Sequence, residues 1–271
     1  MNFKTNMTTS TLLAAGFSLL AGSAAAQTCV ANNCAALGFT KSEDNCEGDI
    51  IRCPFDTSKV FCKKAPKPGD ILYSNGTISD SVIASKTPVG IVAYVNGSTG
   101  FAVALSESSQ TWGGYDSNVS CLGDMDSGAA SADMNGRVNT QCLVNDSQTH
   151  PAANYCNTFS AVSNGKGSSG WYLPAAGELK AMSYSYGAIN LGLQKLSKTQ
   201  ISSNYYWSSS EYHFSYDTRA WVVRPSDGNM NNNNKNNSKP VRCVLALGSK
   251  IIRKYSQLRR ITDSFAGIRI D

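Results

Sequence analysis

Cysteine and histidine are the side chains of this 271-residue sequence that most readily do covalent or metal chemistry, and there are nine cysteines and two histidines. The cysteines include no CxxC pair, and His150 and His213 are far apart in sequence. Because a zinc site needs clustered thiolates and imidazoles, we expect no metal site and no cofactor. No Ser-His-Asp or Cys-His arrangement is evident, so the sequence predicts no catalytic residues and a protein that is not an enzyme.

The first residues have the pattern of a targeting signal. Lys4 precedes an apolar run over residues 11–20, and Ala24-Ala25-Ala26 supplies small residues for a cleavage site before Gln27. The run is too short to span a bilayer. We therefore expect a signal peptide over residues 1–26 and a protein that is secreted, on the cell surface or in the periplasm.

All nine cysteines follow this signal. In an oxidising compartment they are expected to form disulfides. Nine is an odd number, so at least one thiol is free or pairs with another chain.

The formal net charge of +5 does not describe the body of the chain. One basic residue lies in the signal, and the tail over residues 248–271 holds six basic and two acidic residues, which leaves 17 basic and 17 acidic residues between them. A neutral body argues against a nucleic-acid partner. The tail has apolar residues near helical spacing among its basic ones, so it could contact a membrane surface or a partner, although a frayed or self-packing terminal helix is the commoner outcome.

Composition divides the chain further. Residues 27–64 form a module with five cysteines and few apolar residues, in which cross-links must replace a core. Residues 65–69 (APKPG) form a linker, and residues 70–247 form the main domain. Spacing does not determine the pairing in the module. The module cysteines that we expect in disulfides are Cys34, Cys46, Cys53 and Cys62.

The main domain reads as two helices with a mainly antiparallel sheet, an α+β fold with long loops. Patterns typical of strands occur at 70–73, 89–95, 101–105, 171–174, 205–211, 219–224 and 241–247, and patterns typical of helices at 151–162 and 175–186. Residues 96–100 resemble a five-residue hairpin loop.

Residues 111–149 look irregular, and a disulfide between Cys121 and Cys142 would pin this long loop. The loop's acidic residues lack an EF-hand register, which favours a solvated loop over a calcium site.

Asparagine fills seven of the nine positions from Asn229 to Asn237 (NMNNNNKNN). Asparagine favours turns and adds little to a core, so the simplest interpretation is a low-complexity polar loop before the last strand.

Several motifs in one order suggest a second interpretation. The segments at 170–179 (GWYLPAAGEL), 206–211 (YWSSSE), 220–221 (AW) and 241–244 (VRCV) resemble the C-type-lectin-like fold. This fold is shared by the C-terminal domain of collagen-like adhesins and the variable proteins of diversity-generating retroelements. The resemblance is strong over residues 154–247 and looser over 69–154. It implies that the tryptophans are scaffold and that Cys156 pairs with Cys243.

The retroelement branch would explain the asparagines, because such systems rewrite codons at adenines and AAC encodes asparagine. Each residue from His213 to Arg219 can be reached from that codon, so the asparagine tract would be the less edited half of one segment, residues 212–237. A mixture of aromatic, small polar and charged residues on a rigid scaffold resembles an antibody paratope. The predicted ligand-binding residues are Tyr212, His213, Phe214, Ser215, Tyr216, Asp217, Thr218, Arg219, Val222, Arg224, Asn229, Asn231, Asn233 and Lys235.

The sequence leaves three functions open. The first is an exported, non-enzymatic adhesin or receptor whose surface ligand, a protein or a glycan, is unknown. The second is a structural cell-surface or appendage subunit, with the cysteine-rich module as a spacer. The third is an oxidase like the formylglycine-generating enzymes, which have a related fold but depend on reactive cysteines and a dedicated metal site.

Overall fold

A computed structural model of the chain describes residues 49–53, 56–63, 65–97, 99–123, 125–212 and 218–247. These residues belong to two compact units, one up to Ala65 and one from Pro66 onward. In the first unit, strands β1 (Asp49–Cys53) and β2 (Asp56–Lys63) pair antiparallel. Cys53 is buried and disulfide-bonded, whereas the predictions for Cys34, Cys46, the side chain of Cys62, the signal peptide and the tail lie outside the described residues.

The second unit combines short strands with five described helices. Its strands are β3 (Ile71–Tyr73), β4 (Ile78–Ser79), β5 (Pro88–Asn96), β6 (Thr99–Ala104), β7 (Ser108–Gln110), β8 (Trp171–Tyr172), β9 (Tyr206–Glu211), β10 (Arg219–Arg224), β11 (Asn229–Asn234), β12 (Lys239–Val241) and β13 (Val244–Ala246). Its helices are α1 (Ser127–Ala132), α2 (Gly136–Asn145), α3 (Pro151–Thr158), α4 (Ala176–Ser183) and α5 (Tyr186–Lys195).

Three sheets organise these strands, in the orders β4-β3-β5-β6-β13-β8, β11-β10-β9 and β12-β7. Every strand pairing among the described residues is antiparallel. The predicted mixture of helices with a mainly antiparallel sheet is thus confirmed.

Two hydrophobic clusters fill the second unit. The first surrounds Trp112, Trp171 and Trp207, and the second contains Trp221 together with apolar side chains of α4 and α5. All four tryptophans are at most 5% exposed, so each buries a large aromatic surface.

Two disulfides tie helices to loops and strands. Cys121 is bonded to Cys142 of α2, and Cys156 of α3 is bonded to Cys243, which lies between β12 and β13. Both Cys156 and Cys243 are fully buried, so this cross-link is part of the first cluster.

The sequence interpretation was wrong about the region 111–149, which contains α1 and α2. Asp126 caps α1 by accepting the Ala129 backbone N–H at 2.7 Å. The inner face of α2 carries the polar residues Asn139 and Thr140, whose hydrogen bonds are satisfied internally. A helix whose buried face carries polar residues does not show the apolar periodicity from which helices are predicted.

Other element boundaries also differ from the sequence interpretation. The segment from residue 175 forms two helices, because α4 ends at Ser183 and α5 begins at Tyr186. The helix from Pro151 ends at Thr158, and the last strand is divided between β12 and β13. Pairing in the β5–β6 hairpin reaches Asn96 and Thr99, so its loop is two residues long and not five.

Candidate ligand-binding surface

The asparagine tract begins with a strand, so its interpretation as a loop was wrong. Strand β11 pairs with β10 from Arg224↔Asn229 to Arg219↔Asn234 without a shift in register. The partner β10 is rich in valine, tryptophan and alanine, and pairing along its whole length outweighs the weak strand preference of asparagine.

The register of β10 and β11 places alternate side chains of both strands on opposite faces of this sheet. Paired residues in an antiparallel sheet share a face, and neighbours along a strand alternate. Asn229, Asn231 and Asn233 therefore share a face with Arg224 and Val222. Met230 lies on the other face with Trp221, packed against the second cluster.

Val222 is not available to a ligand, which corrects one predicted binding residue. It is 1% exposed and belongs to the first cluster, as does its strand neighbour Ala220. Both faces of β10 are thus buried at its centre, and the exposed part of the shared face lies on β11.

Tyr205, Arg224 and Asn229 form a contact group at the Arg224 end of this face. The Tyr205 hydroxyl donates to Asn229 Oδ1 at 2.6 Å, and the Arg224 guanidinium carbon lies 5.3 Å from the centre of the Tyr205 ring. At the other end, Asn237 Nδ2 donates to Asn233 Oδ1 at 2.7 Å. We call the set Tyr205, Arg224, Asn229, Asn231, Asn233 and Asn237 the asparagine surface.

The charge of Arg224 is balanced next to this surface. Arg224 Nε and Nη2 donate to Asp227, with Nη2 2.5 Å from Oδ2. The hydrogen bonds from Arg224 lower the pKa of the Asp227 carboxyl and raise the pKa of the guanidinium. The asparagine surface therefore presents mainly amide groups and one aromatic ring, and its guanidinium is already paired.

Lys235 is buried too, so its prediction as a ligand-binding residue on the surface was wrong. Its ammonium is 2.5 Å from Glu211 Oε1 and also donates to the backbone oxygens of Ser117 and Gly114 at 2.7 and 3.3 Å. Both charged side chains are at most 3% exposed. Lys235 therefore holds the end of the asparagine tract in place.

The same buried pair anchors the loop over residues 111–123, whose Val119 and Leu122 belong to the first cluster together with Val222. Glu211 Oε2 accepts the Val119 N–H at 3.0 Å, and the Lys235 ammonium lies 4.9 Å from the centre of the Trp112 ring. Trp112 Nε1 donates to the Ser208 carbonyl at 2.8 Å. The loop, β9 and the residue after β11 are thus connected by charge and hydrogen bonds.

Two of the remaining described candidates, Tyr212 and Arg219, lie beside the other face. Tyr212 meets the Trp221 ring edge-on with centroids 5.1 Å apart, and Arg219 Nη1 donates to Asn232 Oδ1 at 2.7 Å. Thr218 is half-buried and Arg219 is exposed. His213, Phe214, Ser215, Tyr216 and Asp217 lie outside the described residues, so the structure does not bring the predicted set together as one face.

Sequence reasoning missed Tyr205, Glu211, Asp227 and Asn237. Tyr205 precedes the YWSSSE segment, and its position two residues before Trp207 places it on the same side of the chain. Nothing in the sequence marks Glu211 as the partner of Lys235, because the two residues meet only through the pairing of three strands.

A second polar cluster is enclosed by α2, α4, β8 and β9. Glu178 accepts hydrogen bonds from the Tyr172 hydroxyl at 3.0 Å and the Ala175 N–H at 2.8 Å. Burial, the largest cause, raises the pKa of Glu178 to about 7, and the nearby Asp133 adds to the shift. Burial also raises the pKa of the Tyr172 hydroxyl. Glu178 is only 4% exposed, so this cluster stabilises the fold and offers no open site.

The residues that the structure describes contain no group of three or more His, Cys, Asp and Glu side chains suited to a metal ion. Within the same residues, no helix is both long and apolar enough to cross a membrane.

These observations define a disulfide-linked domain of helices and antiparallel sheets with an amide-rich strand surface. The model of the Lcl C-terminal domain family matches residues 107–245, just over half of the chain, so the chain belongs to this family. The match includes both described disulfides of the second unit and the whole asparagine surface. The family and the disulfides indicate an extracellular or cell-surface, adhesin-like protein. A comparison with curated proteins found no match to the chain.

Proposed function

We propose that this protein is an exported, non-enzymatic adhesin or receptor that binds its ligand through the asparagine surface and the neighbouring part of residues 212–237. The observation that carries the proposal is the alternation along β11, where Asn229 and Asn231 are exposed while the strand stays in register with a buried partner. Exposed groups held on a rigid strand can recognise a ligand without a large ordering cost.

The chemistry of this surface suits polar recognition. Each asparagine amide offers donors and an acceptor, and a tyrosine ring adds contact area at low entropic cost. The ligand class that fits is a surface protein or glycan. A nucleic-acid partner is disfavoured because the chain between the signal and the tail has equal numbers of acidic and basic residues.

The finer part of the proposal is that the main domain has a C-type-lectin-like fold and that residues 212–237 are diversified by a retroelement. The asparagine-rich tract, and a preceding segment whose residues can be reached from an asparagine codon, support diversification. The exposed positions of β11 also support it, because substitutions there leave both hydrophobic clusters intact.

A structural surface or appendage subunit is the alternative, favoured by the odd number of cysteines, which would allow a disulfide between chains. An oxidase like the formylglycine-generating enzymes fits less well. Among the described cysteines, Cys53, Cys121, Cys142, Cys156 and Cys243 are disulfide-bonded, and a disulfide sulfur is not an activated thiolate.

The test is binding of the whole chain to a glycan array and to purified extracellular-matrix proteins. The variant Asn229→Ala/Asn231→Ala/Asn233→Ala removes the strand's amides from the surface. The control Asn145→Ala/Asn164→Ala/Asn204→Ala removes three exposed asparagines elsewhere. We expect at least one probe to lose about tenfold or more in affinity with the first variant and to keep its affinity with the control. Equal binding by both variants would overturn the assignment of the surface.

A further inference from the structure

Exposed edge strands are usually protected against pairing with another chain by charges, proline, bulges or short length. Most edges in the described part of this chain follow that rule. Strands β4 and β8 have two residues each, and β12 contains Lys239 and Pro240. Strands β1 and β2 carry charged residues and an irregular register, and β9 is buried along its length.

Strand β11 lacks all of these protections. It is the edge of its sheet, has six residues and pairs with β10 without a bulge. Its sequence, NMNNNN, has no charge and no proline. Asn229 and Asn231 are exposed and the other four residues are half-buried, so no residue of this edge is fully covered.

The direction of its free backbone groups follows from one hydrogen bond. Lys235 N donates to Thr218 O at 2.8 Å. Because such bonds recur at every second residue of an antiparallel pair, Asn229, Asn231 and Asn233 direct their backbone groups toward β10. Residues 230, 232 and 234 direct theirs outward. The Asn231 side chain accepts the outward Asn232 N–H at 2.8 Å, and the Asn234 carbonyl accepts the Asn237 N–H at 2.9 Å, which leaves that carbonyl its second lone pair.

We propose that two copies of this chain pair antiparallel through β11 and form a symmetric dimer with one continuous six-stranded sheet. Outward groups must face outward groups, and the register in which all three outward residues are paired sets Asn232 opposite its own copy. Asn231 then lies opposite Asn233 of the second copy. Met230 lies opposite Asn234 on the other face.

We expect the partner of β11 to be the β11 of a second copy of this chain, because this edge is complementary to itself. An uncharged strand meets its own copy without the like-charge contact that normally prevents such pairing, and stacked or opposed asparagine amides can bond to one another. The charges next to this edge have partners within each chain: Arg224 pairs with Asp227, Lys235 pairs with Glu211, and Arg219 donates to Asn232 at 2.7 Å. A two-fold contact uses both edges and closes, so the product is a dimer and not a fibre.

Pairing through β11 would set two asparagine surfaces side by side on one sheet. If the proposed ligand-binding function holds, the dimer binds a repeated surface ligand through both copies at once, which raises avidity without any new contact. Only this consequence rests on the proposed function, since the dimer itself follows from the strand edge.

The experiment is sedimentation velocity of the whole chain over a range of concentrations, with three double variants. Asn231→Lys/Asn233→Lys and Asn231→Asp/Asn233→Asp each oppose like charges across the two-fold axis. Gln194→Lys/Gln200→Lys is the control, with the same gain of charge at exposed positions outside β11. Near-UV circular dichroism checks that each variant is folded, and a non-reducing gel detects dimers joined by a cysteine.

We expect the unaltered chain and the glutamine control to form non-covalent dimers, and both β11 variants to sediment as monomers. An equimolar mixture of the lysine and aspartate variants should restore the dimer, because each introduced lysine would then oppose an introduced aspartate of the other copy — a rescue that a folding defect cannot produce. A monomeric unaltered chain, a lysine variant that still dimerises, or a mixture that stays monomeric would each overturn the proposal.

Discussion

The ion pair between Lys235 and Glu211 shows how one buried charge fixes the end of an otherwise polar tract. Its lysine donates to one carboxylate and two backbone oxygens, and its glutamate accepts the backbone N–H of Val119 in the loop over residues 111–123. Removing one partner of such a pair leaves the other charge buried without compensation.

We therefore expect Lys235→Met and Glu211→Gln each to lower the free energy of unfolding by about 3–5 kcal/mol. The double variant should lose less than the sum, because neither charge is then left alone. Urea unfolding followed by tryptophan fluorescence measures all four states of this cycle. Losses that add fully would show that the two side chains act independently.

Glu178 gives the fold a dependence on pH. Its pKa is about 7 in the folded chain, above the ordinary value of 4.5, so the folded state holds its proton more tightly than the unfolded state. This contribution to stability is fully present below about pH 4.5 and is lost as pH rises through 7. The loss amounts to about 3 kcal/mol between the two limits.

The variant Glu178→Gln imitates the protonated acid, since its oxygen can accept the Ala175 N–H and its amide can donate to the Tyr172 hydroxyl. We expect the variant to match the unaltered chain at pH 5 and to be the more stable of the two at pH 8. Urea unfolding at the two pH values tests this, and the difference between the two proteins removes the titration of other groups. A variant that is less stable by the same amount at both pH values would contradict the assigned cause.

At the scale of elements, the two disulfides contribute different amounts of stability because they close loops of different length. Cys156–Cys243 spans 87 residues of sequence and Cys121–Cys142 spans 21. The chain-entropy relation gives stabilisations of about 4–5 and about 3 kcal/mol. The longer cross-link joins α3 to the start of β13, so it also fixes where the central sheet meets the helices.

We expect Cys156→Ser/Cys243→Ser to lower the thermal midpoint more than Cys121→Ser/Cys142→Ser does. Both variants leave the other disulfide in place, so each serves as the control for the other. Calorimetry under non-reducing conditions measures the two midpoints. A larger loss from the shorter loop would mean that strain or packing, and not loop closure, decides the contribution.

Strands with a continuous apolar run could be found from the sequence, and β10 (RAWVVR) was predicted with its observed ends. Elements that form because of their contacts with neighbouring elements could not be found in this way. Strand β11 consists of asparagine and methionine and is a strand because β10 pairs with it. Helix α2 buries the polar residues Asn139 and Thr140, so its sequence lacks a clear apolar stripe. Strand alternation also failed at Val222, because both faces of β10 are covered, so a position facing away from Trp221 is still buried.

At the scale of the whole molecule, burial divides the residues of the candidate surface into exposed positions that tolerate substitution and buried positions that the fold requires. Asn229, Asn231 and Asn233 can change without disturbing either cluster, whereas Val222 and Lys235 hold the sheet to its core. Both lysine codons contain adenine, so unrestricted editing would often remove Lys235 and leave Glu211 unpaired. Diversification by a retroelement is therefore compatible with this fold only if it spares the buried pair.

The gene's own DNA and its downstream flank would carry the trace of such diversification. We expect a near-copy of the stretch that encodes residues 205–247, beside a reverse transcriptase gene, differing where the copy has adenine. The differences should fall in the codons of residues 213–219, the codons of Asn229, Asn231 and Asn233 should carry adenine in both copies, and codons 222 and 235 should be the same in both copies. A copy that differs at codon 235 would mean that the fold tolerates loss of the ion pair. With no copy in the flank, the asparagine tract is an ordinary polar edge strand, selected for the shape of β11 and not for variety.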